Sequence, residues 1–463
     1  MDSGFPRLDE NKGKERAPAE RPSRIPTAPR PFVYPHPGLL DRIDPDAEKV
    51  LKRLTRAGFT AYLVGGGVRD LLLGRSPKDF DVATSARPND VRALFRNCRI
   101  IGRRFRLAHV LFAGGKIIEV ATFRKDPTAP ELTEPLLEND RDEDVDSDVD
   151  AFDADVDDAP VALVPARKER HDEADLLIRH DNVFGEPHED AIRRDFTLNA
   201  LFFDIDREEV IDYCGGWPDL ERRTLRTIGE PDVRFREDPI RILRAIKFSA
   251  RCDLGLAPEV YDAMVALREE IRKSAPPRVL EEVLRLLRGG AAQRSMWLAW
   301  DSGVLAVVMP ELVAHLEDEA DGSAAMWGRL AAIDAYTAES GAPSDAVLLA
   351  AILMGPCDEA LDGAKDVGRA FEFFIDQISV RLAIPRRMKD RLRMILMSQR
   401  RLKQGRYQNL THRDFFADAA LLHAFDCEAR GVVPPEWATS PPENQGSFDG
   451  APRRPRRRRR RFG

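Results

Sequence analysis

The sequence has no long apolar run. No segment approaches the roughly 18–20 consecutive apolar residues that a transmembrane helix requires. The N-terminal stretch MDSGFPRLDENKGKERAPAERPSR has no apolar core, which argues against a secretory signal. A length of 463 residues suggests roughly two to four domains. Of these residues, 43% are apolar and 33% charged, a composition typical of globular proteins. We therefore expect a cytoplasmic protein with no membrane partner.

Cysteine is also scarce. The five cysteines are scattered along the chain, and no two of them form a CxxC pair. An odd, dispersed set favours reduced thiols in the cytosol and argues against a disulfide framework or a zinc site.

Acidic residues are absent from one segment and concentrated in another. The last thirteen residues, 451–463, contain eight arginines and no acid, while residues 138–158 contain twelve acids and one arginine. The net charge of −7 therefore hides a basic end that can bind a polyanion and an acidic run that we interpret as a solvated insertion. The acidic run could also screen the basic tail, contact a partner protein or serve as an inert linker.

The strand signal is confined to the first half of the chain. Short buried strands alternate there with helices, which indicates an α/β domain, whereas the segments after Asp238 have helical spacing punctuated by Pro and Gly. The expected divisions are a disordered arm at 1–38, an α/β head at 39–225 with an acidic insertion at about 126–178, a helical neck at 226–292, a helical body at 293–433 and a disordered Arg-rich tail at 434–463.

The strongest local pattern is LVGGGVRDLLLGRSPKDFDV, which spans Leu63–Val82. Its glycines end a predicted strand and open a predicted helix, so backbone N–H groups can face a phosphate, and Arg69 can reach the same anion. Asp79 and Asp81 are two residues apart, which on a strand places both carboxylates on one face. Two such carboxylates can share divalent metal ions in phosphoryl or nucleotidyl transfer.

Each element of this pattern also has an ordinary interpretation. A glycine-rich turn alone is usually only a turn, and a DxD pair alone is usually a solvated strand end. The pattern is not a Walker A loop, because no GK[ST] follows, nor a dinucleotide fingerprint, because the acidic pair comes too soon. The coincidence of all these features favours a transfer site.

The series of motifs resembles the class II nucleotidyltransferase family, which contains bacterial poly(A) polymerases and CCA-adding enzymes. The resemblance rests on GGGVRDLLLG...KDFDV, RRDFTLNALFFDI, FREDPIRILRAIKFSARCDL and RVLEEVLRLL, in that order. It covers roughly residues 55–125 and 178–290. It implies an α+β fold, in which a nucleotidyltransferase head with a mixed sheet precedes an all-α neck, body and C-terminal region.

The resemblance also implies roles for individual residues. Asp79 and Asp81 would hold two Mg²⁺ ions, one of which activates the RNA 3′-hydroxyl while the other holds the triphosphate of ATP, and Asp195 would complete the catalytic carboxylates. The implied nucleotide-binding set is Gly65, Gly66 and Arg69 at the triphosphate, Arg194 at ribose or phosphate, and Glu237, Asp238, Arg241 and Arg244 at the incoming base.

Other candidate residues have two interpretations each. Glu119 is either a further carboxylate of the site or a half-buried structural residue, and His109 is expected to be structural. Arg278 and Glu282 match a family motif that braces the base-binding helices, and they are also spaced as an ordinary i, i+4 salt bridge.

The stretch IIGRRFRLAHV resembles the signature that separates bacterial poly(A) polymerases from CCA-adding relatives. Its Arg103 and Arg104 would meet RNA or nucleotide phosphates, although a solvated basic turn is the ordinary alternative. The tail resembles the basic tails of poly(A) polymerases, and Arg456, Arg457, Arg458, Arg459 and Arg460 would bind RNA without sequence preference. The segment RRMKDRLRMILMSQRRLKQGRYQNL is either an RNA-facing helix or only an amphipathic surface helix.

The hypothesis with most support is a template-independent polymerase that adds AMP from ATP to RNA 3′ ends in RNA processing and decay. One alternative is a CCA- or A-adding tRNA nucleotidyltransferase, and another is a non-catalytic RNA-binding protein. The expected partners are RNA 3′ ends, ATP and RNA-decay proteins, and the expected state is a monomer.

Overall fold

The computed structural model describes residues 30–102, 106–125, 183–317 and 322–440. The strands are β1 (Phe32–Pro35), β2 (Ala61–Val64), β3 (Asp81–Thr84), β4 (Cys98–Ile101), β5 (Leu107–Leu111), β6 (Ile117–Thr122), β7 (Arg124–Lys125), β8 (Val183–Phe184), β9 (Leu201–Asp204), β10 (Glu209–Asp212), β11 (Thr224–Leu225) and β12 (Gly255–Leu256).

The helices become longer and more frequent toward the C-terminal half. Those of the head are α1 (Pro45–Arg56), α2 (Gly66–Leu72), α3 (Pro88–Leu94), α4 (Pro187–Ile192) and α5 (Gly216–Glu221). They are followed by α6 (Pro231–Glu237), α7 (Ile240–Cys252), α8 (Pro258–Leu267), α9 (Pro276–Arg288), α10 (Ala292–Asp301), α11 (Val304–Val308), α12 (Pro310–Glu317), α13 (Gly322–Ser340), α14 (Asp345–Leu361), α15 (Val367–Leu382), α16 (Arg386–Leu402), α17 (Phe416–Ala429) and α18 (Glu436–Thr439).

The head is built on an eight-stranded sheet with the order β1-β10-β9-β2-β3-β6-β5-β4. The β3–β6 pair is parallel and the other pairs are antiparallel, so the sheet is mixed, as predicted. Helices follow it along the chain, and the α+β class is confirmed. Strands β7 and β8 pair with each other, which brings Lys125 and Val183, the two described ends of the inserted segment, side by side.

Local sequence explains why α1 begins where it does and which face it buries. The carboxylate of Asp44 accepts hydrogen bonds from the backbone N–H groups of Asp46 and Ala47, and Pro45 occupies the first helical position. The helix then buries Val50, Leu51 and Leu54, whose spacing places them on one side, within the apolar core of the sheet.

One described element lies inside each of the two terminal segments that were expected to be disordered. Strand β1 lies within the expected arm at 1–38, where it pairs with β10 and stacks Tyr34 on Trp217 with ring centroids 4.8 Å apart. Helix α18 lies within the expected tail at 434–463, where Trp437 stacks on Tyr407 at 4.6 Å. In both places one aromatic ring finds a distant partner that the local composition does not reveal.

The helical part has one large core. A single cluster of buried apolar side chains runs from Phe235 to Phe425, across the expected neck–body division at 292/293. A smaller cluster, which includes Phe196 and Phe248, joins the head to α7. No helix in the described ranges is both long and apolar enough to cross a bilayer.

Candidate active site

A large cavity lies where the head sheet meets α6, α7 and α9. Its volume is about 2060 Å³. Every predicted catalytic and nucleotide-binding residue lines it, namely Gly65, Gly66, Arg69, Asp79, Asp81, Arg194, Asp195, Glu237, Asp238, Arg241 and Arg244. The predicted RNA-binding residues Arg103, Arg104 and Arg456–Arg460 lie outside the described residues.

The glycine-rich turn between β2 and α2 forms one wall of the cavity. Gly65 has a φ of +68°, a conformation that glycine adopts readily, and a Cβ there would lie 3.0 Å from Nη1 of Arg194. A Cβ on Gly67 would lie 3.4 Å from the carbonyl oxygen of Asp79. The turn therefore packs closely against Asp79 and Arg194, and Gly65, Gly66 and Gly67 all line the cavity.

The acidic pair lies beside this turn. Asp81 is the first residue of β3, but Asp79 precedes the strand, so the expectation that both lie on a strand is wrong for Asp79. Burial raises the pKa of Asp81 to about 6, and repulsion from Glu119 and then Asp79 adds to the increase. Three carboxylates that repel one another across a cavity form an environment suited to a cation.

Glu119 is the third of these carboxylates. Strands β3 and β6 are parallel and pair Val82 with Val120, which places Glu119 beside the start of β3. Its side chain is 49% exposed, and its Oε1 lies 3.4 Å from Nε2 of His109, directly across the β5–β6 ladder. The structure therefore places Glu119 in the cavity wall, and His109 in contact with it.

The donor set fits a metal ion that is shared with a substrate. No three His, Cys, Asp or Glu side chains in the described part of the chain meet closely enough to hold a metal ion by themselves. Mg²⁺ in proteins is commonly bound by one or two carboxylates together with substrate phosphates. Asp79 and Asp81 can provide the carboxylates, and the cavity beside the glycine-rich turn has room for the phosphates.

Asp195 is buried and both of its oxygens are engaged. Its Oδ1 accepts hydrogen bonds from the Phe196 N–H and from Nδ2 of Asn199, each at 2.9 Å, and its Oδ2 accepts from Arg244. Burial would raise its pKa, but the attraction of Arg244 and these hydrogen bonds outweigh burial and hold the pKa at about 2. Asp195 is therefore an ionised partner of Arg244, and the structure does not direct a spare oxygen toward a metal ion.

Asn199 connects three of the predicted residues, and the sequence analysis missed it. Its Oδ1 accepts from Nη1 of Arg69 at 2.6 Å, and its Nδ2 donates to Asp195. Its backbone carbonyl accepts from Nη1 of Arg194 at 3.0 Å. The signal was present, because Asn199 lies inside the RRDFTLNALFF motif, but only the fold shows which groups its amide joins.

Arg69 lines the cavity, but its guanidinium already has partners. Its Nε and Nη2 donate to Oδ1 of Asp70 at 2.8 and 2.6 Å, and the side chain is nearly fully buried. Phe248, a residue that the sequence analysis did not single out, lies under both Arg69 and Arg244, with its ring centroid 4.8 and 5.3 Å from their guanidinium carbons. Arg69 therefore ties the glycine-rich helix to α7.

The EDxxR residues lie at the junction of α6 and α7. Oε2 of Glu237 accepts from Arg234 and Arg241, each at 2.8 Å, which holds Arg241 in place. Oδ2 of Asp238 accepts from Arg278 at 2.9 Å, whereas its Oδ1 is buried and has no hydrogen-bond partner in the described residues. Asp238 lines the cavity, so a ligand donor that reached this oxygen would satisfy an acceptor that is otherwise unpaired.

Arg278 and Glu282 do not form the simple helix pair that their spacing permits. Arg278 reaches Asp238 instead, and Oε2 of Glu282 accepts from Nζ of Lys247 at 2.9 Å. Both contacts cross from α9 to the α6–α7 segment. Arg278 and Glu282 therefore brace neighbouring helices and do not act as an i, i+4 salt bridge.

Two family models match the chain. The one described as "Poly A polymerase head domain" matches residues 61–226, and the one described as "Probable RNA and SrmB- binding site of polymerase A" matches residues 253–316. Together they span the head, with its cavity residues, and part of the helical region.

Individual relatives match more of the chain. It is 36% identical over 451 residues to poly(A) polymerase I of Salmonella typhimurium, covering 90% of this chain and 88% of the relative. It is 32% identical to the CCA-adding enzyme of Geobacillus thermodenitrificans, covering 61% and 59%. Among solved structures, the CCA-adding enzyme of Bacillus stearothermophilus in complex with CTP has a similar fold, with a TM-score of 0.56, 24% identity and coverage of 86% of this chain and 81% of the other.

Proposed function

This chain belongs to the bacterial poly(A) polymerase family, as its motifs predicted, and on that premise we propose that it extends RNA 3′ ends with AMP from ATP and releases pyrophosphate. The observation that carries the proposal is the single cavity that gathers the glycine-rich turn, the acidic pair and the EDxxR segment. A nucleotide placed there can meet phosphate-binding, metal-binding and base-binding groups at once.

The phosphate end of ATP would lie at the glycine-rich turn. Gly65 and Gly66 line the cavity at this point, and Arg194 lies beside them with its guanidinium oriented by Oδ2 of Asp190 at 2.8 Å. We propose that Arg194 binds the ribose or a phosphate. Arg69 would support this wall from behind, because its donors are bound to Asp70 and Asn199.

The carboxylates of Asp79 and Asp81 would hold two Mg²⁺ ions together with the triphosphate, and Glu119 lies beside them. When bound, such ions stabilise the developing charge on the attacking and departing oxygens. The protein's own contribution is to hold these carboxylates close together in a partly buried site and to align the ends of the RNA and the nucleotide.

The base would lie against the α6–α7 junction. The unpaired Oδ1 of Asp238 can accept a hydrogen bond from an exocyclic amino group, and Arg241, held by Glu237, can donate to the base edge. Arg244, held by Asp195, would complete this wall.

The direct test supplies the protein with Mg²⁺, one nucleoside triphosphate at a time, and either oligo(A) or tRNA that lacks its CCA end. Long A tails on oligo(A) are expected. Addition of CMP from CTP to the tRNA, with no A tail on oligo(A), would overturn the proposal in favour of a CCA-adding enzyme, the activity named for the structural neighbour. RNA binding without any incorporation would favour a non-catalytic protein.

We also propose a cytoplasmic monomer that acts in RNA processing and decay together with RNA-decay proteins. Light scattering coupled to size-exclusion chromatography tests the monomer, and a dimer mass would contradict it.

A further inference from the structure

Helix α16 (Arg386–Leu402) carries the segment whose role the sequence left open. It has seven basic residues and one acidic residue, Asp390. One side of the helix buries Leu392, Ile395 and Leu402 in the core of the helical part. The basic side chains lie on its flanks and on its outer face, so the helix is amphipathic, as predicted.

The flanking cations are neutralised by neighbouring helices. Lys389, Arg391 and Arg393 pair with carboxylates on α15 or α17 at distances of 2.5, 2.8 and 2.7 Å. These pairs explain part of the charge of α16 as ordinary contacts between helices.

The outer cations have no such explanation. We call one group of exposed residues on α16 the arginine face, namely Arg386, Arg387, Arg400 and Arg401. None of these four arginines forms an ion pair with a residue in the described part of the chain. The two doublets are fourteen residues apart, close to four helical turns, so they lie on the same side about 21 Å from each other. Met394, halfway between them, is 45% exposed.

Helix α16 is connected to the cavity wall through other helices. Helix α9, which lines the cavity with Arg278 and Arg285, packs against α14 and α15, and both of these pack against α16. One layer of helices therefore separates α9 from α16, and the arginine face lies on the exposed side of α16. An extended polymer that leaves the cavity would pass over this layer to reach the face.

We propose that the arginine face binds the phosphate backbone of single-stranded RNA whose 3′ end lies in the cavity. The proposal rests on the proposed function for the identity of the polyanion. Arginine pairs with phosphate through two parallel N–H groups, and two doublets 21 Å apart suit an extended strand of several nucleotides. The residues matched as an RNA-binding region, 253–316, do not include this helix.

The test measures binding of fluorescein-labelled (A)₂₀ to the full chain without ATP, by anisotropy over a series of salt concentrations. The variants are R386Q/R387Q and R400Q/R401Q. The matched control is R56Q/R222Q, which removes two exposed arginines from the head. Because each phosphate contact with a single strand contributes about −0.7 to the slope of log K against log[salt], each test variant should lose about 1.4 of slope and bind roughly tenfold more weakly.

The control should keep the slope and affinity of the wild type. Test variants that behave like the control overturn the proposal and leave an acidic protein as the occupant of the face. A loss of affinity with an unchanged slope, or with a lowered unfolding midpoint, also overturns it. Because no nucleotide is present, the result does not depend on AMP transfer, and failure of the proposed activity would appear separately in the incorporation assay.

Discussion

The substitution Asp195→Asn distinguishes two roles for this carboxylate, a metal ligand or a partner that holds Arg244. The carboxylate is 8% exposed and accepts from Nε and Nη2 of Arg244 at 2.7 and 2.6 Å. The amide has nearly the same shape but removes the negative charge. We therefore expect the cavity to remain and the ion pair to be lost.

The expected cost follows from the burial of the two partners. Removing one partner of a buried ion pair costs about 3–5 kcal/mol, because the other charge is left without compensation. The side chain of Arg244 is 31% exposed, so water can solvate part of its charge. We expect the free energy of unfolding to fall by about 2–3 kcal/mol, measured by urea denaturation.

Kinetics separate the two roles. If Asp195 holds Arg244, Asp195→Asn should raise the KM for ATP about tenfold and leave the half-saturating Mg²⁺ concentration unchanged. The matched control is Asp426→Asn, which removes a buried carboxylate paired at 2.8 Å with Arg329 within the helical body. It should lower stability at least as much, because Arg329 is almost fully buried, without changing the KM for ATP. A rise in the Mg²⁺ requirement of Asp195→Asn would refute the reasoning and indicate that Asp195 contributes to metal binding.

The same ion pair predicts a dependence of stability on acid. The folded-state pKa of Asp195 is about 2, below its ordinary value of 3.8, so the unfolded chain takes up the proton first as the pH falls. This stabilisation is complete above about pH 5 and is lost progressively between about pH 4 and pH 2, amounting to about 2 kcal/mol. Asp195→Asn should flatten the stability profile in this range, and an unchanged profile would contradict the assignment.

Three further predictions concern other parts of the molecule. Asp79→Asn or Asp81→Asn should lower the rate of AMP transfer by about a thousandfold, equivalent to about 4 kcal/mol. Neither substitution should lower the thermal midpoint of unfolding, because each removes repulsion among carboxylates. Normal transfer in either variant would contradict the metal assignment. Tyr34→Ala should destabilise the edge strand by about 1 kcal/mol and increase hydrogen exchange in β1, whereas full protection would show that the stack on Trp217 is dispensable. Deletion of residues 451–463 should weaken RNA binding and flatten its salt dependence more than it slows transfer to a short primer, and an equal loss of both would place the tail in the chemical step.

The motifs could be recognised in the sequence because each of them depends on local features. The glycines of the GGG turn, the spacing of Asp79 and Asp81 and the EDxxR pattern are visible in short windows of sequence. Resemblance to a family then grouped them into one site, and the cavity contains all of those that the structure describes. The pairing of β5 with β6 also has a local signal, because alternating residues flank a short glycine-containing turn.

What each charged residue does inside the site could not be predicted in this way. Arg278 could pair with Glu282 by spacing, yet it reaches Asp238, forty positions away along the chain. Asp195 was expected to complete the catalytic carboxylates, but Arg244 and Asn199 occupy its oxygens. Such partners come from elements that only folding brings together, and no local pattern encodes the distance between them.

The amino-acid sequence alone was sufficient for the family, the α+β class and the series of residues that line the cavity, because these depend on motif identity and on local periodicity. Tertiary structure decided which charges are already neutralised and which remain available. On α16 it separates three paired cations from four exposed arginines, and at the cavity it leaves one oxygen of Asp238 without a partner. The physical reason is that electrostatic interaction depends on distance and burial in space, and neither is a property of sequence position.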